Sequence, residues 1–315
     1  MDLMADIGAT HTRCALVNDK GEELAAEVFD NARFPSLTHL LGSYLAHRRT
    51  TDRPKRAALA VAAPILGDEV RMLNIDWRFS QAKLRAELEL AQLTVCNDFA
   101  AIAWGLPHFG AADLHTIGGG QRVAGAALAT LGPGSGLGVG ALVPTTDGWA
   151  VVSGEGGHST LPATTREEAD VIARIRERHG GHCSAERVLS GPGLVNLYVA
   201  LAELSEAALP PEITPADVTA RAKTGEPLAR KAQSMFFAFL GIVAGNLALT
   251  TDARGGVFIA GGIVPQLLDA LDESEFRARF EAKGRYAGYL RAIPTHVITA
   301  ELPAFVGLRH LLGYR

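Results

Sequence analysis

Apolar positions along the chain fall into runs of strand length and stretches of helical spacing, in an order that repeats. "LMADIG", "TRCALVN" and "EELAAEVF" read as three hairpin strands. "AALAVAAPI" (57–65) reads as a buried strand ended by Pro64 and Gly67, and "LTVCND" (93–98) as a short strand leading into an apolar helix from about residue 99. Helical spacing marks 36–48 and 80–90, with Ser80 as a candidate N-cap. From about residue 108 the pattern restarts with "GAALATLG", a glycine-rich turn into a second strand, and "GWAVVSGEGG". Helical patterns follow at 166–179, 191–204, 214–223 and 227–249. "GGVFIAGG" (255–262) reads as a strand entering a helix near Pro265, "THVITA" (295–300) as the last strand and 303–312 as the last helix. The Pro-rich stretch 204–217 reads as a surface loop between helices.

The restart carries an internal resemblance. "LMADIGATHTRCALV" and "LATLGPGSGLGVGALV" both read apolar strand, small-residue turn, apolar strand, about 126 positions apart. They predict two similar α/β halves, each presenting a glycine-containing hairpin turn. The second copy places glycine at 132, 134, 136, 138 and 140. Glycine weakens a strand, so such a run implies that another group approaches the bare main chain.

Composition narrows the function. With 315 residues the chain can hold two domains. Hydrophobic content of 48% and charged content of 20% are ordinary globular values, and the net charge of -4 argues against a nucleic-acid partner. No unbroken run of about 18 apolar residues appears, which predicts no membrane span, and "MDLMADIGATHTR" carries no signal-peptide pattern. Cys14, Cys96 and Cys183 are odd in number and widely spaced, which fits a reducing cytoplasm.

Three phosphate-binding patterns compete for the glycine turns. The P-loop needs GxxxxGK[ST], and no such Lys occurs. A loose GxGxxG match at Gly136, Gly138 and Ala141 runs into strand and turn rather than a helix. A hairpin that embraces phosphate with main-chain N–H groups fits both turns, and the bland alternative is a pair of structural hairpins. Asp6, among apolar residues at the end of the first strand, would be costly unless it faced a cleft or a cation; near phosphates that cation is Mg2+. The competing role for Asp6 is a cap satisfied by turn N–H groups.

Polar candidates lie at strand ends and on a glycine loop. Asn97 and Asp98 stand where a buried strand turns into a helix, where open α/β sheets bind ligands, or where an Asp simply caps the helix. "SGEGGH" sets Glu155 and His158 three residues apart, and "SAERVLSG" sets Glu186 near a helix start. His179, His182 and Cys183 supply three potential metal ligands without a fourth, which reads as an ordinary loop.

Taken in order, "DIGATHTR", "NIDW", "VCNDFAA", "GPGSGLGVGAL", "GEGGH", "SAERVLSGPGLVNLY" and "GGVFIAGGIVP" resemble the bacterial ATP-dependent glucokinases, of the hexokinase and actin-like ATPase superfamily, over nearly the whole chain. The resemblance implies two actin-like ATPase (ribonuclease H-like) α/β domains with an interdomain active-site cleft. Residues 1–107 with 300–315 would form the small domain and 108–299 the large one. It implies that Ala5, Asp6, Ile7, Gly8, Ala9 and Thr10 form one phosphate loop and Gly134, Ser135 and Gly136 the other, with Gly261 and Gly262 on the adenosine side. Asp6 would hold the Mg2+ of Mg-ATP, directly or through water. Asn97, Asp98, Glu155, His158 and Glu186 would ligate the sugar, Asp98 acting as general base, with Asn74 in the substrate region. The expected activity is phosphorylation of glucose to glucose 6-phosphate, feeding glycolysis, by a cytoplasmic homodimer with no nucleic-acid or membrane partner. The alternatives are a kinase for another hexose, or a sugar-binding regulator without turnover. One departure stands out: the family usually reads GGTN in its first loop, and here Gly8, Ala9, Thr10 and His11 take those places. Related sugar kinases and repressors often carry a Cys-rich zinc site after the "GEGGH" loop, which is lacking here, and no helix-turn-helix precedes the first loop.

Overall fold

In the computed structural model, which describes residues 1–47, 53–72 and 75–314, the opening apolar runs form β1 (Asp2–Ile7), β2 (His11–Val17) and β3 (Glu23–Asp30). Helix α1 (Leu37–Ala46) follows, capped by Ser36. Then come β4 (Arg56–Val61), a small hairpin of β5 (Glu69–Arg71) and β6 (Arg78–Ser80), α2 (Gln81–Glu87), β7 (Gln92–Asn97) and α3 (Asp98–Gly105). The sheet runs β3-β2-β1-β4-β7, with β1, β4 and β7 parallel. Parallel strands are covered on both faces, and here the covering shows as continuous apolar sequence: every residue of β4 after Arg56 is buried.

The second set of elements begins with β8 (Leu114–Ile117), β9 (Leu128–Pro133), β10 (Leu137–Thr145) and β11 (Gly148–Gly154). Four helices follow: α4 (Arg166–Arg178), α5 (Gly191–Leu204), α6 (Pro215–Lys223) and α7 (Pro227–Thr251). Next are β12 (Val257–Ile259), α8 (Leu268–Asp272), α9 (Phe276–Glu281), α10 (Ala287–Arg291) and β13 (Thr295–Ile298). This sheet runs β11-β10-β9-β12-β13-β8. Its first five strands repeat the order and directions of the first sheet, and β8 adds an antiparallel edge.

The chain divides into two compact units, residues 1–110 with 300–315 and residues 111–299. The first unit regains the chain at α11 (Pro303–Leu311), which packs on α3. Gly307 lies so close to the Ala101 carbonyl that a β-carbon there has no room, so this crossing fixes the helix that begins at Asp98.

Three features depart from the sequence pattern. The β5–β6 hairpin, β8, α9 and α10 were not legible as elements: each is short, and the strands carry three or four residues. The strand expected at 255–262 spans only Val257–Ile259, and Pro265 lies in a 3-10 turn, Val264–Gln266. Helix α7, 25 residues, is long and apolar enough to cross a membrane, although Lys231, Gln233 and Ser234 interrupt any unbroken apolar run. Of its most apolar stretch 61% is buried, with Phe236, Phe237 and Phe239 in the core of the second unit.

Candidate active site

In the first unit the sheet sets two carboxylates at the carboxyl ends of parallel strands β1 and β7, with β4 between them. Ile7, Val61 and Asn97 stand in register across β1, β4 and β7, and Asp6 and Asp98 flank that line. Two strand spacings put them roughly 10 Å apart in the sheet direction. Burial pushes the Asp6 carboxyl above the usual carboxylate range, opposed by the Arg13 guanidinium 3.6 Å away. Arg13 faces Asp6 across the β1–β2 register and was not singled out from the sequence; the two-residue alternation of β2 was the available signal. A carboxylate whose charged form is disfavoured by burial gains from a second cation, so Asp6 fits the Mg2+ role.

Between β1 and β2 the chain turns through Gly8, Ala9 and Thr10, closed by the Gly8 N–H donating to the His11 carbonyl at 3.0 Å. Ala9 is half-buried, and Thr10 and His11 are exposed. Ala5 and Ile7 are fully buried, so their side chains belong to the core and only their main chains remain to meet a ligand.

The capping alternative for Asp98 goes to its neighbour. Asn97 is the N-cap of α3: its side-chain oxygen accepts from the Phe99 N–H at 2.9 Å and the Ala100 N–H at 3.3 Å. Its amide nitrogen donates to the Ala63 carbonyl at 3.4 Å, which engages one of two protons. Asp98 is the first helical residue, its Oδ1 accepting from the Phe99 N–H at 2.9 Å. Cys96, one residue before the cap, is part-buried; burial, with the Asp98 and Asp6 charges nearby, pushes its thiol up to about 12. Asn74 lies outside the described residues.

The second unit gathers Glu155, His158 and Glu186. A bridge between Thr160 and Ser184, with the Ala185 N–H on the Ser159 carbonyl at 2.9 Å, lays the segment before Glu186 beside the "GEGGH" loop. His158 Nδ1 then stands 3.9 Å from Glu186 Oε1, and its Nε2 3.9 Å from Glu155 Oε2. Glu155 and His158 are more than half exposed (side chains 61% and 57%), whereas Glu186 is 29% exposed. Gly157 allows the loop to lie on β10, since a β-carbon there would collide with the Leu137 carbonyl.

The glycine run resolves into the β9–β10 hairpin. Gly132 pairs with Gly138 across the strands, and Gly134, Ser135 and Gly136 form the turn, with the Gly134 N–H donating to the Gly136 carbonyl at 2.8 Å. A β-carbon on Gly136 would strike Glu186 Oε2, which accepts the Leu137 N–H at 2.9 Å. A β-carbon on Gly134 would meet nothing within 4 Å. Gly134 also lines a cavity of about 410 Å³ with Gly191, Leu194, Pro215, Ala216, Gly262, Ile263 and Leu267 among its walls. The volume lies in the range of small-ligand sites. Gly261, at φ +84°, packs against the Pro133 carbonyl where no side chain fits, which brings the end of β12 against β9. The apolar walls Leu194, Pro215, Ala216 and Ile263 were missed in the sequence because they come from three separated segments.

Cys183 is buried, and the His182 ring hydrogen-bonds Thr160 at 3.1 Å. Among the described residues no group of three or more His, Cys, Asp or Glu side chains could hold a metal ion.

The glucokinase family model matches residues 3–314. The chain is 48% identical to a glucokinase of Paramagnetospirillum magneticum, over 99% of this chain and 97% of that protein. It is 46% identical to a glucokinase of Nitrobacter hamburgensis, over 98% and 96%. The crystal structure of a glucokinase from an Antarctic psychrotroph matches with a TM-score of 0.89 at 36% identity, over 99% of this chain and 98% of that one.

Proposed function

The chain belongs to the glucokinase family, and we propose that it transfers the γ-phosphoryl group of ATP to the 6-hydroxyl of glucose. The observation that carries this reading is the double engagement of Glu186. One carboxylate oxygen holds the main chain where the β9–β10 turn ends, and the other faces His158. A sugar ligand and a phosphate turn thus share one side chain.

Each part has a role. Glu155, His158 and Glu186, with the Asn97 amide, match the donor and acceptor faces of sugar hydroxyls. Asp98 accepts the proton of the 6-hydroxyl as its oxygen bonds to phosphorus and the bond to ADP breaks. Main-chain N–H groups of the two turns orient the phosphates, and the 410 Å³ cavity takes the adenosine end. Asp6 would hold Mg2+, directly or through water; when bound, that cation supplies positive charge to the phosphate oxygens. The proposal extends to residues 1–107 with 300–315 and 108–299 as the two functional domains, Asn74 in the substrate region, and a cytoplasmic homodimer.

The test is product identification with purified protein, excess Mg-ATP and a panel of hexoses. Glucose 6-phosphate with stoichiometric ADP is expected, glucose giving the highest kcat/KM. Sugar binding without ADP release would overturn the kinase reading, and a better epimer would overturn the substrate.

A further inference from the structure

We propose that Asn31 is the positioning residue of the first phosphate turn: it fixes the peptide plane that aims the Ala9 N–H outward. Asn31 is 1% exposed and sits where β3 ends in a 3-10 turn, Asn31–Arg33. Its side-chain Nδ2 donates to the Gly8 carbonyl at 2.9 Å. Its main-chain N–H donates to the Thr10 carbonyl at 2.9 Å. Its Oδ1 accepts from the hydroxyl of buried Thr12 at 2.7 Å. One residue therefore braces both ends of the turn, and Thr12 decides which way its amide faces.

The consequence follows from the planar trans peptide, in which the C=O of one residue and the N–H of the next point in opposite directions. With the Gly8 carbonyl drawn toward Asn31, the Ala9 N–H points away from it. With the Thr10 carbonyl drawn the same way, the His11 N–H points away as well. Among the described residues neither the Ala9 nor the Thr10 N–H has a protein acceptor. Unpaired main-chain donors at a tight turn are what an anion requires, and holding them before the ligand arrives removes an ordering cost from binding. Asn31 itself, buried behind the turn, touches no ligand.

This rests on the reading of Gly8–Thr10 as a phosphate turn, and the experiment separates the two. Asn31→Asp keeps the shape and the acceptor for Thr12 but presents an oxygen to the Gly8 carbonyl. Mg-ATP affinity is measured by calorimetry, glucose affinity by tryptophan fluorescence without nucleotide, and folding by thermal melting. The expected result is a Kd for Mg-ATP raised about tenfold, the net worth of one such hydrogen bond, with glucose affinity within about twofold. Thr12 supplies the second pair of variants should Asn31→Asp fail to fold. Thr12→Val is expected to weaken Mg-ATP binding in the same direction, and Thr12→Ser, which retains the hydroxyl, to restore it. Unchanged Mg-ATP affinity in folded Asn31→Asp, or Thr12→Val matching Thr12→Ser, overturns the proposal while leaving the phosphate turn intact. Equal loss of ATP and glucose affinity together with a lowered melting temperature also overturns it, showing only a structural brace. A wild-type protein that does not bind Mg-ATP overturns the phosphate turn and this proposal together.

Discussion

Glu186 Oε2 accepts the Leu137 N–H at 2.9 Å in the space that a β-carbon on Gly136 would need. Two glycines of one turn thereby face different partners. A β-carbon on Gly136 would meet the Glu186 carboxylate, whereas one on Gly134, a residue lining the 410 Å³ cavity, would meet no protein atom within 4 Å. Gly136→Ala is expected to push the carboxylate aside and raise the KM for glucose about tenfold or more, the scale of a hydrogen bond to a charged group. Gly134→Ala is expected to raise the KM for ATP and leave glucose nearly unchanged. Steady-state kinetics with each substrate varied in turn checks the pair. The reverse pattern would place the sugar on the wrong side of the hairpin.

Asp98 and Asn97 are expected to separate by function. Asp98→Asn keeps the shape and the contact with the Phe99 N–H but cannot take up a proton at neutral pH. Turnover is expected to fall by about 10²–10⁴ while glucose still binds. Stability should stay near wild type, because Asn97 carries the cap. Asn97→Ala is expected instead to cost about 1 kcal/mol of folding stability. A stopped assay, glucose titration and thermal melting of both variants decide it. Near-normal turnover in Asp98→Asn would remove the base assignment.

What the sequence made legible was local. The turn at Gly134–Gly136 shows as glycine between apolar runs, and helices such as Gly191–Leu204 show by spacing and by Ser190, which accepts the Gly193 N–H at 3.0 Å. What joins Glu186 to His158 is not local: the Thr160–Ser184 bridge brings together residues that stand 28 positions apart (186 minus 158). No periodicity encodes that meeting, and only the resemblance pointed to it. Arg13 was passed over because a basic residue in a strand reads as a solvated edge until its register partner, Asp6, is known. The walls of the cavity are ordinary apolar residues whose role comes from tertiary placement alone.

Asp2 gives the fold an acid-sensitive tie. Burial raises its carboxyl, but hydrogen bonds from Arg56, at 3.1 and 2.5 Å, and from the Tyr314 hydroxyl, at 2.6 Å, prevail and hold it below the usual range. A depressed carboxyl contributes stability above its unfolded value, about 3.9, and loses it as pH falls through the lower folded value. Asp2→Asn is therefore expected to be less stable than wild type by denaturant unfolding at about pH 6–7, where an ordinary carboxyl is ionised. The two curves should converge as pH falls through the lowered folded value of Asp2. A gap that persists there would mean that packing, not charge, holds the Tyr314 end.

Ala9 stands where the family usually carries glycine, in a turn that has little freedom to adjust. The Gly8 carbonyl is held by Asn31 Nδ2, the Thr10 carbonyl by the Asn31 N–H, and the Gly8 N–H by the His11 carbonyl. A β-carbon at Gly8 would lie 3.2 Å from the His11 carbonyl oxygen, so this position has little room for a side chain. The methyl stands beside the N–H proposed to face the phosphates, and displacement of a reacting group by even 1 Å can cost about 10²-fold where geometry sets the rate. Ala9→Gly is expected to lower the KM for ATP and leave the KM for glucose unchanged, since only the nucleotide side is touched. It should also lower folding stability by about 0.4–1 kcal/mol through the added freedom of the unfolded chain. Kinetics and thermal melting on the same preparation read both effects. An unchanged KM for ATP would show that neighbours such as His11 already compensate for the methyl, and a change confined to glucose would move this turn to the sugar side.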